Sequence, residues 1–500
     1  MTRRKRLTIT DIIGHEVEQW QQGEIITIEA GTGVGKSYFI KNTLYEKAKR
    51  EGTKILFLVN RKRLGEQFQH EIEKDNKTDV IDIYLYQYIE QALRKGNHSF
   101  SERYKYIACD EFHYFLSDSL FNSNTEDSFN MIMAHTDKTK IFMSATANAM
   151  MKYFISLGIE HRQYQVAPEY NSIRNLYFYQ KDAIVDQFLE QIPSTHKAIC
   201  FLKSSTRAYK LHKKFNNSLF VCAETGRSKY RRYVSKEKLK SMLISERFDE
   251  RYLFTTTTLD NGINLKDKDI KYIVSDIEDI DLLIQCLGRK RSLDGHDKVT
   301  VIIKDISNKL LYRKKSEAEK LILPALYFKE HGSKEYANKY IRGKNDNEIV
   351  YDRMSPNEIG YEKVVNELRL HKVDYDIKIY EDMLNKENGY MNYIQTKLQQ
   401  EDYKLLDETY QQSTLADYLD SIVGQRLYKL EQKQLIEKVN LKDGYNRLQK
   451  SCRLINEYFV ANNIPFNIKD KNRDNRRKLD DGSENSYFTK TFWTVAKHTI

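Results

Sequence analysis

The stretch EIITIEAGTGVGKS, residues 24–37, decides the fold of this 500-residue chain. Residues 24–29 are a short, β-branched run typical of a buried strand. The run leads directly into a loop of eight residues: Ala30, Gly31, Thr32, Gly33, Val34, Gly35, Lys36 and Ser37. The loop matches a phosphate-binding loop, except that Ala30 stands at the usual first glycine. In such a loop the backbone N–H groups surround the phosphates, Lys36 reaches the same oxygens, and Ser37 coordinates Mg²⁺. The sequence therefore predicts that a nucleotide and Mg²⁺ bind at residues 30–37.

Length and composition limit the classes of protein that this chain can be. At roughly 150 residues per domain, the length predicts about three domains. Lys and Arg number 82 against 71 Asp and Glu, and the net charge of +11 fits a polyanionic partner but is also compatible with plain solubility. The five cysteines lie far apart without a CxxC pair, which argues against a zinc knuckle or a disulfide framework. Because no run of about 18 apolar residues is present, we expect a cytoplasmic protein without a membrane segment.

Up to about residue 305, short apolar runs alternate with helix-length polar segments. After the first strand, the runs lie at 54–59, 106–109, 140–143, 198–202, 218–221, 252–255, 272–274 and 299–303. Strand and helix in alternation build parallel sheets. The stretch 165–169 interrupts the alternation, so we predict one sheet domain at residues 1–165 and a second at 166–308.

The remaining residues, 309–500, have a different character. Apolar residues recur there at helical spacing, for example at Tyr445, Leu448, Cys452, Ile455 and Phe459. We predict a mostly helical accessory region, with a small β element between residues 464 and 495. Basic runs at 312–315 and 471–478 lie near aromatic residues, which suits single-stranded nucleic acid. Each run by itself is more typical of a solvated surface.

A pair of acidic residues, Asp110 and Glu111, follows the predicted strand at 106–109. An Asp at the end of a strand can hold Mg²⁺ through water, and an adjacent Glu can orient and deprotonate an attacking water. We therefore predict Ser37 and Asp110 as metal ligands and Glu111 as the catalytic base.

Further motifs follow in an order that resembles a known family. Ser144-Ala145-Thr146 follows the strand at 140–143, and QCLGRKR occupies 285–291. Together with the phosphate loop and the DEFH box at 110–113, they resemble the DEAD/DEAH-box helicases of superfamily 2. Residues 58–67 resemble the motif that grips the nucleic-acid backbone in the first lobe. Thr256 with 262–264 resembles the motif of the second lobe that couples nucleotide to strand. The resemblance covers roughly residues 15–305.

This resemblance implies two tandem RecA-like lobes, with ATP in the cleft between them and a helical region after them. It implies that Arg289 enters from the second lobe as an arginine finger. The family typically has a second arginine three positions later, but Ser292 stands there and Arg291 lies one residue earlier. We take Arg291 as a second catalytic residue, with Arg207 and Arg227 as alternatives. A solvent-facing role for Arg291 is equally open.

The function implied by the resemblance is an ATP- and Mg²⁺-dependent helicase or translocase. Its expected partner is nucleic acid, with single-stranded or forked DNA favoured over RNA, and no protein partner is indicated. The alternative is a nucleic-acid-stimulated ATPase switch that binds and signals without unwinding. The family's adenine-contacting glutamine corresponds to Gln19, or to Gln21 or Gln22 beside it.

Overall fold

The computed structural model describes ten stretches of the chain: residues 8–31, 33–95, 102–166, 170–223, 229–260, 264–340, 349–354, 360–444, 447–479 and 481–498. The chain divides into two compact units. The first comprises Met1–Gln180 and Phe188–Tyr403, and the second comprises Lys181–Gln187 and Lys404–Ile500. Residues 309–403 therefore lie in the same unit as both predicted lobes. Among the described helices, none is long and apolar enough to cross a membrane.

The first lobe is a six-stranded parallel sheet. Its strands are β1 Ile25–Ala30, β2 Lys54–Val59, β3 Ile81–Leu85, β4 Tyr104–Asp110, β5 Thr139–Ser144 and β6 Arg162–Val166, in the order β3-β2-β4-β5-β1-β6. Its helices are α1 Ile9–Ile13, α2 Lys36–Phe39, α3 Tyr45–Arg50, α4 Lys62–Lys74, α5 Tyr86–Arg94, α6 Tyr114–Ser117, α7 Thr125–Ala134 and α8 Asn148–Ser156. The π-helical turn Ile40–Leu44 joins α2 to α3. Because β1, β5 and β4 are neighbours, their carboxyl ends bring the phosphate loop, Ser144 and the acidic pair together.

Both faces of this sheet are buried. Ile141 and Met143 belong to the core on one face, while Phe142 between them belongs to the core on the other. The alternation follows from the two-residue period of a strand. Helices cover both faces of a parallel sheet, which explains why these strands lack alternating polar positions.

The second lobe is also a parallel sheet. Its six strands in the first unit are β7 Ile173–Tyr179, β8 Lys197–Phe201, β9 Ser218–Val221, β10 Tyr252–Thr255, β11 Ile270–Ser275 and β12 Val299–Lys304, in the order β7-β12-β11-β8-β10-β9. The helices are α9 Asp182–Gln191, α10 Ser205–Lys214, α11 Lys236–Ser245 and α12 Ile280–Leu287. Short 3₁₀ turns occupy Arg231–Tyr233 and Thr257–Asp260 in this lobe, and Glu16–Gln19 and Asp118–Leu120 in the first lobe. The predicted α/β fold with two tandem parallel-sheet lobes is confirmed. Residues 167–169, within the predicted boundary, lie outside the described residues.

Residues 309–403 pack onto the first lobe. They form α13 Asn308–Tyr340, interrupted at Gly332, the antiparallel hairpin β13 Val350–Met354 with β14 Tyr361–Val365, α14 Glu367–Leu384 and α15 Gly389–Lys397. Leu368 and Tyr375 of α14 belong to the same apolar core as Phe112. The Glu367 backbone N–H donates a hydrogen bond to Glu126 Oε1 at 3.0 Å. Neither the hairpin nor this packing was expected from the sequence.

The second unit is helical with one hairpin. Its elements are β15 Lys404–Leu405, α16 Leu406–Ser421, α17 Lys429–Val439, α18 Cys452–Ala461, β16 Phe466–Arg473 and β17 Thr491–Lys497, the last two being antiparallel partners. The hairpin is the small β element expected at residues 464–495. The helix predicted from residue 445 begins only at Cys452, because Leu448 forms a β-bridge with Lys442. Tyr445 lies outside the described residues.

Candidate active site

The phosphate loop follows β1 with the conformation that its glycines allow. Gly33 and Gly35 have φ of 83° and 90°, a region that side chains with a Cβ rarely adopt. Ala30 is the last residue of β1, where the backbone is extended, so the usual first glycine is not required. Lys36 Nζ donates a hydrogen bond to the Ala30 carbonyl oxygen at 3.0 Å. The lysine side chain is thus folded back over the loop. Thr32 lies outside the described residues.

The acidic pair stands where β4 ends. Asp110 is the last residue of the strand, and Glu111 has a φ of 48°, which is uncommon for a residue with a side chain. Lys36 Nζ lies 3.6 Å from Glu111 Oε1. The turn therefore brings the carboxylate of Glu111 to the lysine of the phosphate loop.

The arrangement fits a magnesium ion. Asp110 Oδ1 is buried and has no hydrogen-bond partner among the described residues. Ser37, the other predicted ligand, lines the same cavity as Asp110. Mg²⁺ in phosphate sites commonly takes one or two protein oxygens and completes its shell with water and substrate phosphates. A buried carboxylate oxygen without a partner beside a phosphate loop meets this need.

Burial shifts the pKa values of the two carboxyl groups in opposite directions. Burial, and then the charge of Glu111, raises the pKa of Asp110 to about 7. Burial also acts to raise the pKa of Glu111, but Lys36 and the hydrogen bond from His113 outweigh it and hold that pKa below its usual range. Glu111 is therefore the ionised member of the pair. A nearby cation would favour ionisation of Asp110 as well.

Ser144 links the acidic box to the SAT motif. Its hydroxyl donates to Glu111 Oε2 at 3.2 Å and accepts from the Thr146 backbone N–H at 3.0 Å. His113 Nδ1 lies 2.8 Å from the same hydroxyl. His113 Nδ1 also lies 3.3 Å from Glu111 Oε2, so Ser144 and His113 together orient that carboxylate oxygen. The Thr146 hydroxyl is buried without a partner among the described residues.

A hydrogen bond joins the two lobes at His113. Gln285, on α12 of the second lobe, places its Nε2 3.0 Å from His113 Nε2. The histidine therefore contacts Ser144 through one ring nitrogen and the second lobe through the other. Sequence reasoning named both residues as parts of motifs, but it did not predict that they touch.

The arginine segment of the second lobe is extended. The Leu265 N–H donates to the Arg289 carbonyl at 2.8 Å, and the Arg291 N–H donates to the Leu265 carbonyl at 2.9 Å. Lys290 between them is buried, and its Nζ lies 2.5 Å from Asp297 Oδ2. Side chains two apart on an extended segment share a face, so Arg289 and Arg291 lie on the same side.

Arg291 reaches across the cleft to the phosphate loop. A Cβ added to Gly33 would lie 2.9 Å from Arg291 Nη1, so the guanidinium group contacts the loop at that glycine. Arg291 Nε donates to Asn264 Oδ1 at 2.7 Å, which fixes the side chain in this direction. The solvent-facing alternative for Arg291 is therefore wrong in this structure. Arg289 also faces the cleft, and its Nε is buried without a partner among the described residues.

Residues of the phosphate loop, the acidic box and the arginine segment line one cavity of about 270 Å³. The first lobe supplies the loop from Gly33 to Tyr38, the acidic box, and Asn60, Arg61, Leu64 and Gln67. The second lobe supplies Asn264, Gln285, Arg289 and Arg291. Residues 58–67 were expected to grip nucleic acid, and four of them form a wall of the same cavity.

The other candidates lie elsewhere. Gln19 is exposed and does not line the cavity. The Nε of Arg207 lies 3.9 Å from Asp276 Oδ2, away from the cavity lining. Arg227 and the motif residues Gly262 and Ile263 lie outside the described residues.

Comparison with known protein families finds a match in the first lobe. Residues 5–149 match the family described as "Type III restriction enzyme, res subunit". The match contains the phosphate loop, the DEFH box and the SAT motif whose geometry is given above. This match supports a superfamily 2 helicase over the first lobe and, with it, ATP hydrolysis.

Solved structures of helicases resemble the chain over about 60% of its length. S. cerevisiae Dbp5 bound to RNA and ADP BeF3 has 14% sequence identity and a TM-score of 0.43, over 61% of this chain and 90% of its own. Mss116p bound to ssRNA and AMP-PNP has 12% identity and a TM-score of 0.44, over 63% and 78%. The DUF1998 helicase MrfA bound to DNA and AMPPNP has 17% identity and a TM-score of 0.44, over 59% and 47%. No curated protein matches the chain by sequence.

Proposed function

We propose that this protein is an ATP-dependent helicase or translocase that acts on nucleic acid, on DNA in preference to RNA. The observation that carries the proposal is the shared cavity. It brings Lys36 and Glu111 of the first lobe together with Arg289 and Arg291 of the second. The preference for DNA rests on the resemblance to DExH-type helicases and on the basic C-terminal segment. The proposal keeps the cytoplasmic location expected from the sequence.

ATP binding is assigned to the phosphate loop. The glycines with positive φ expose backbone N–H groups to the β- and γ-phosphates, and Lys36 can turn from the Ala30 carbonyl toward the same oxygens. Ser37 and Asp110 would hold Mg²⁺, which supplies positive charge against the phosphates when bound. Asp110 Oδ1, which is buried without a hydrogen-bond partner among the described residues, supports this role.

Hydrolysis is assigned to Glu111 and Arg289. Glu111 is ionised and oriented by Ser144, so it can accept a hydrogen bond from the attacking water and position it for attack. Arg289 Nε lacks a partner among the described residues and faces the cavity. A cation at this position stabilises charge on the transferring phosphoryl group, an effect of about 10³–10⁵ in rate for arginine fingers of GTPases.

Coupling to motion follows from the two-lobe construction of the cavity. Catalytic groups that come from both lobes act together only when the lobes are close, so hydrolysis can alternate with opening. Asn60 and Arg61 line the same cavity and follow the strand whose motif was expected to contact nucleic acid. Binding of a nucleic-acid strand there would therefore change the surroundings of the nucleotide.

The test compares ATP turnover without nucleic acid and with single-stranded DNA, duplex DNA or RNA, using Lys36→Ala as the background control. We expect turnover to rise severalfold with DNA and less with RNA. Turnover that no nucleic acid changes would overturn the proposal. A forked duplex DNA then separates two functions: a helicase displaces one strand with ATP, whereas a switch hydrolyses ATP and leaves the fork paired.

A further inference from the structure

The second unit has the element order of a DNA-binding module. Three helices, α16, α17 and α18, are followed by the hairpin of β16 and β17. Leu427, just before α17, forms an antiparallel bridge with Trp493 of β17, which adds a short third strand. Helix, short strand, two helices and a hairpin is the order of a winged helix-turn-helix. A single apolar core joins all of these elements, and it includes Leu419, Leu427, Leu435, Ile455, Phe459, Ile468 and Val495.

In the order of elements, α18 corresponds to the helix that enters the major groove in such modules, although the longer segment 440–451 replaces the usual short turn before it. Cys452, Ile455 and Phe459 face the core. The opposite face carries Arg453 and Val460, whose exposures are 83% and 78%, with Glu457 between them; Arg453 Nε lies 3.1 Å from Glu457 Oε1, so the terminal nitrogens of Arg453 are the donors left for a base. These three exposed residues recur at a spacing of four and three, so they form one stripe.

The chemistry of this stripe matches base edges. An Arg donates two hydrogen bonds to guanine, a Glu accepts from the cytosine amino group, and an apolar side chain contacts the thymine methyl group.

Basic residues outnumber acidic ones in the segment that contains α18 and the start of the hairpin. From Arg447 to Lys478 the sequence has nine Lys or Arg and three Asp or Glu, so nine minus three gives +6. Helix α16 has four acidic residues and no basic one. A surface of this sign suits the phosphates that flank a groove.

The hairpin tip, residues 474–479 and 481–490, is held in place by a buried carboxylate. Asp474 accepts hydrogen bonds from the guanidinium of Arg476 at 3.2 Å and from Tyr428 Oη at 2.5 Å. Arg426 Nη1 lies 2.6 Å from the same carboxylate. Hydrogen bonding from Arg476 and Tyr428 keeps the pKa of Asp474 well below its usual range, so this anchor stays ionised. Arg477 beside it is exposed, with its guanidinium 5.7 Å from the Phe488 ring centroid.

We infer that the second unit binds double-stranded DNA, with α18 in the major groove and the hairpin tip on the adjacent backbone. The inference deepens the proposed function, on which it rests for the choice of DNA. The B-form major groove, about 12 Å wide, admits a helix. The A-form major groove of duplex RNA is too narrow to be read by side chains, so a surface that depends on α18 distinguishes the two duplexes.

The experiment measures binding of the full-length protein, without nucleotide, to a 30-bp duplex DNA, a duplex RNA of the same sequence and single-stranded DNA. We expect wild type to prefer duplex DNA at least 10-fold. Arg477→Ala with Lys478→Ala should weaken duplex DNA binding and reduce the salt slope by about 1.8, since each lost phosphate contact removes about 0.9. Lys433→Ala with Lys497→Ala removes the same charge from exposed sites outside α18 and the tip, and it should leave the slope nearly unchanged.

Arg453 separates groove reading from simple charge attraction. Arg453→Lys keeps the charge but cannot donate in the same bidentate way, so we expect it to lower selection of particular sequences from a randomised duplex pool. Equal wild-type affinity for both duplexes, or tip and control variants that bind alike, would overturn the inference. If ATP turnover remained DNA-stimulated in that case, the proposed function would stand. Duplex DNA binding without any DNA-stimulated turnover would instead overturn the proposed function alone.

Discussion

The two lobes prepare their catalytic groups in different ways. In the first lobe, Glu111 is fixed by Ser144, and Lys36 is held by the Ala30 carbonyl. In the second lobe, Arg289 Nε has no partner among the described residues, although it is buried. The catalytic groups of the first lobe are therefore already held in place. Arg289 of the second lobe is instead a cation whose expected partner is the substrate. The difference predicts that Lys36 of the first lobe affects both binding and chemistry, and that Arg289 affects chemistry alone.

The largest effect is expected at Lys36. Lys36→Ala removes the cation that the phosphates meet, both in the bound state and in the transition state, so turnover should fall by about 10³-fold or more. Lys41→Ala, on the same run of helix, removes a lysine that is paired with Glu71 and Asp75 and should change little. Steady-state ATP hydrolysis measures both. Near wild-type turnover in Lys36→Ala would contradict the assignment of the whole loop.

Glu111→Gln should separate binding from chemistry within the first lobe. The amide keeps the size of the side chain but cannot accept a proton, so turnover should fall by about 10²–10⁴-fold. Binding of a fluorescent ATP analogue should remain within a few-fold of wild type. A loss of nucleotide binding as large as that in Lys36→Ala would show that Glu111 has no separate role.

Arg291→Ala should show that the arginines of the second lobe are not equivalent. Arg291 contacts the loop at Gly33 and is already held by Asn264, so it is placed to bind phosphate before the reaction. We expect the KM for ATP to rise about 10-fold or more, because a charge-assisted hydrogen bond contributes about 1.5–3 kcal/mol. Lys268→Ala, an exposed cation of the same lobe, is the matched control. An unchanged KM would show that Arg291 does not contribute to ATP binding.

The smallest effect is expected at the bond between the lobes. Gln285→Ala removes one hydrogen bond to His113, which contributes about 0.5–1.5 kcal/mol, so turnover should fall by about 2- to 10-fold. A double-mutant cycle with His113→Ala measures the coupling between the two side chains. Strict additivity of the two variants would contradict a functional contact across the cleft.

Much of the first lobe's site could be predicted because each part directly follows a strand. Residues 30–37, Asp110 and Ser144 come at the ends of β1, β4 and β5, and parallel topology brings those ends together. What sequence alone could not give is which side chains touch. The bond between Gln285 and His113 joins residues 172 positions apart. The direction of Arg291 depends on pairing with Leu265, which no local pattern reveals.

The C-terminal part was less predictable for a related reason. Helical spacing identifies an apolar face but not what covers it, so the packing of Leu368 against the first lobe could not be foreseen. Likewise, Leu448 has the right spacing to extend α18 toward the N-terminus, but it pairs with Lys442 instead. Tertiary contacts override such spacing at the ends of elements.

The central claim is that the second lobe acts on ATP bound by the first, and Arg289→Ala tests it most directly. The measurement is single-turnover ATP hydrolysis at saturating ATP and DNA, with nucleotide affinity determined on the same protein. We expect affinity within about threefold of wild type and a rate reduced by about 10³-fold or more, since a finger stabilises mainly the transition state. An unchanged rate would remove the second lobe from catalysis and contradict the coupling of hydrolysis to lobe motion.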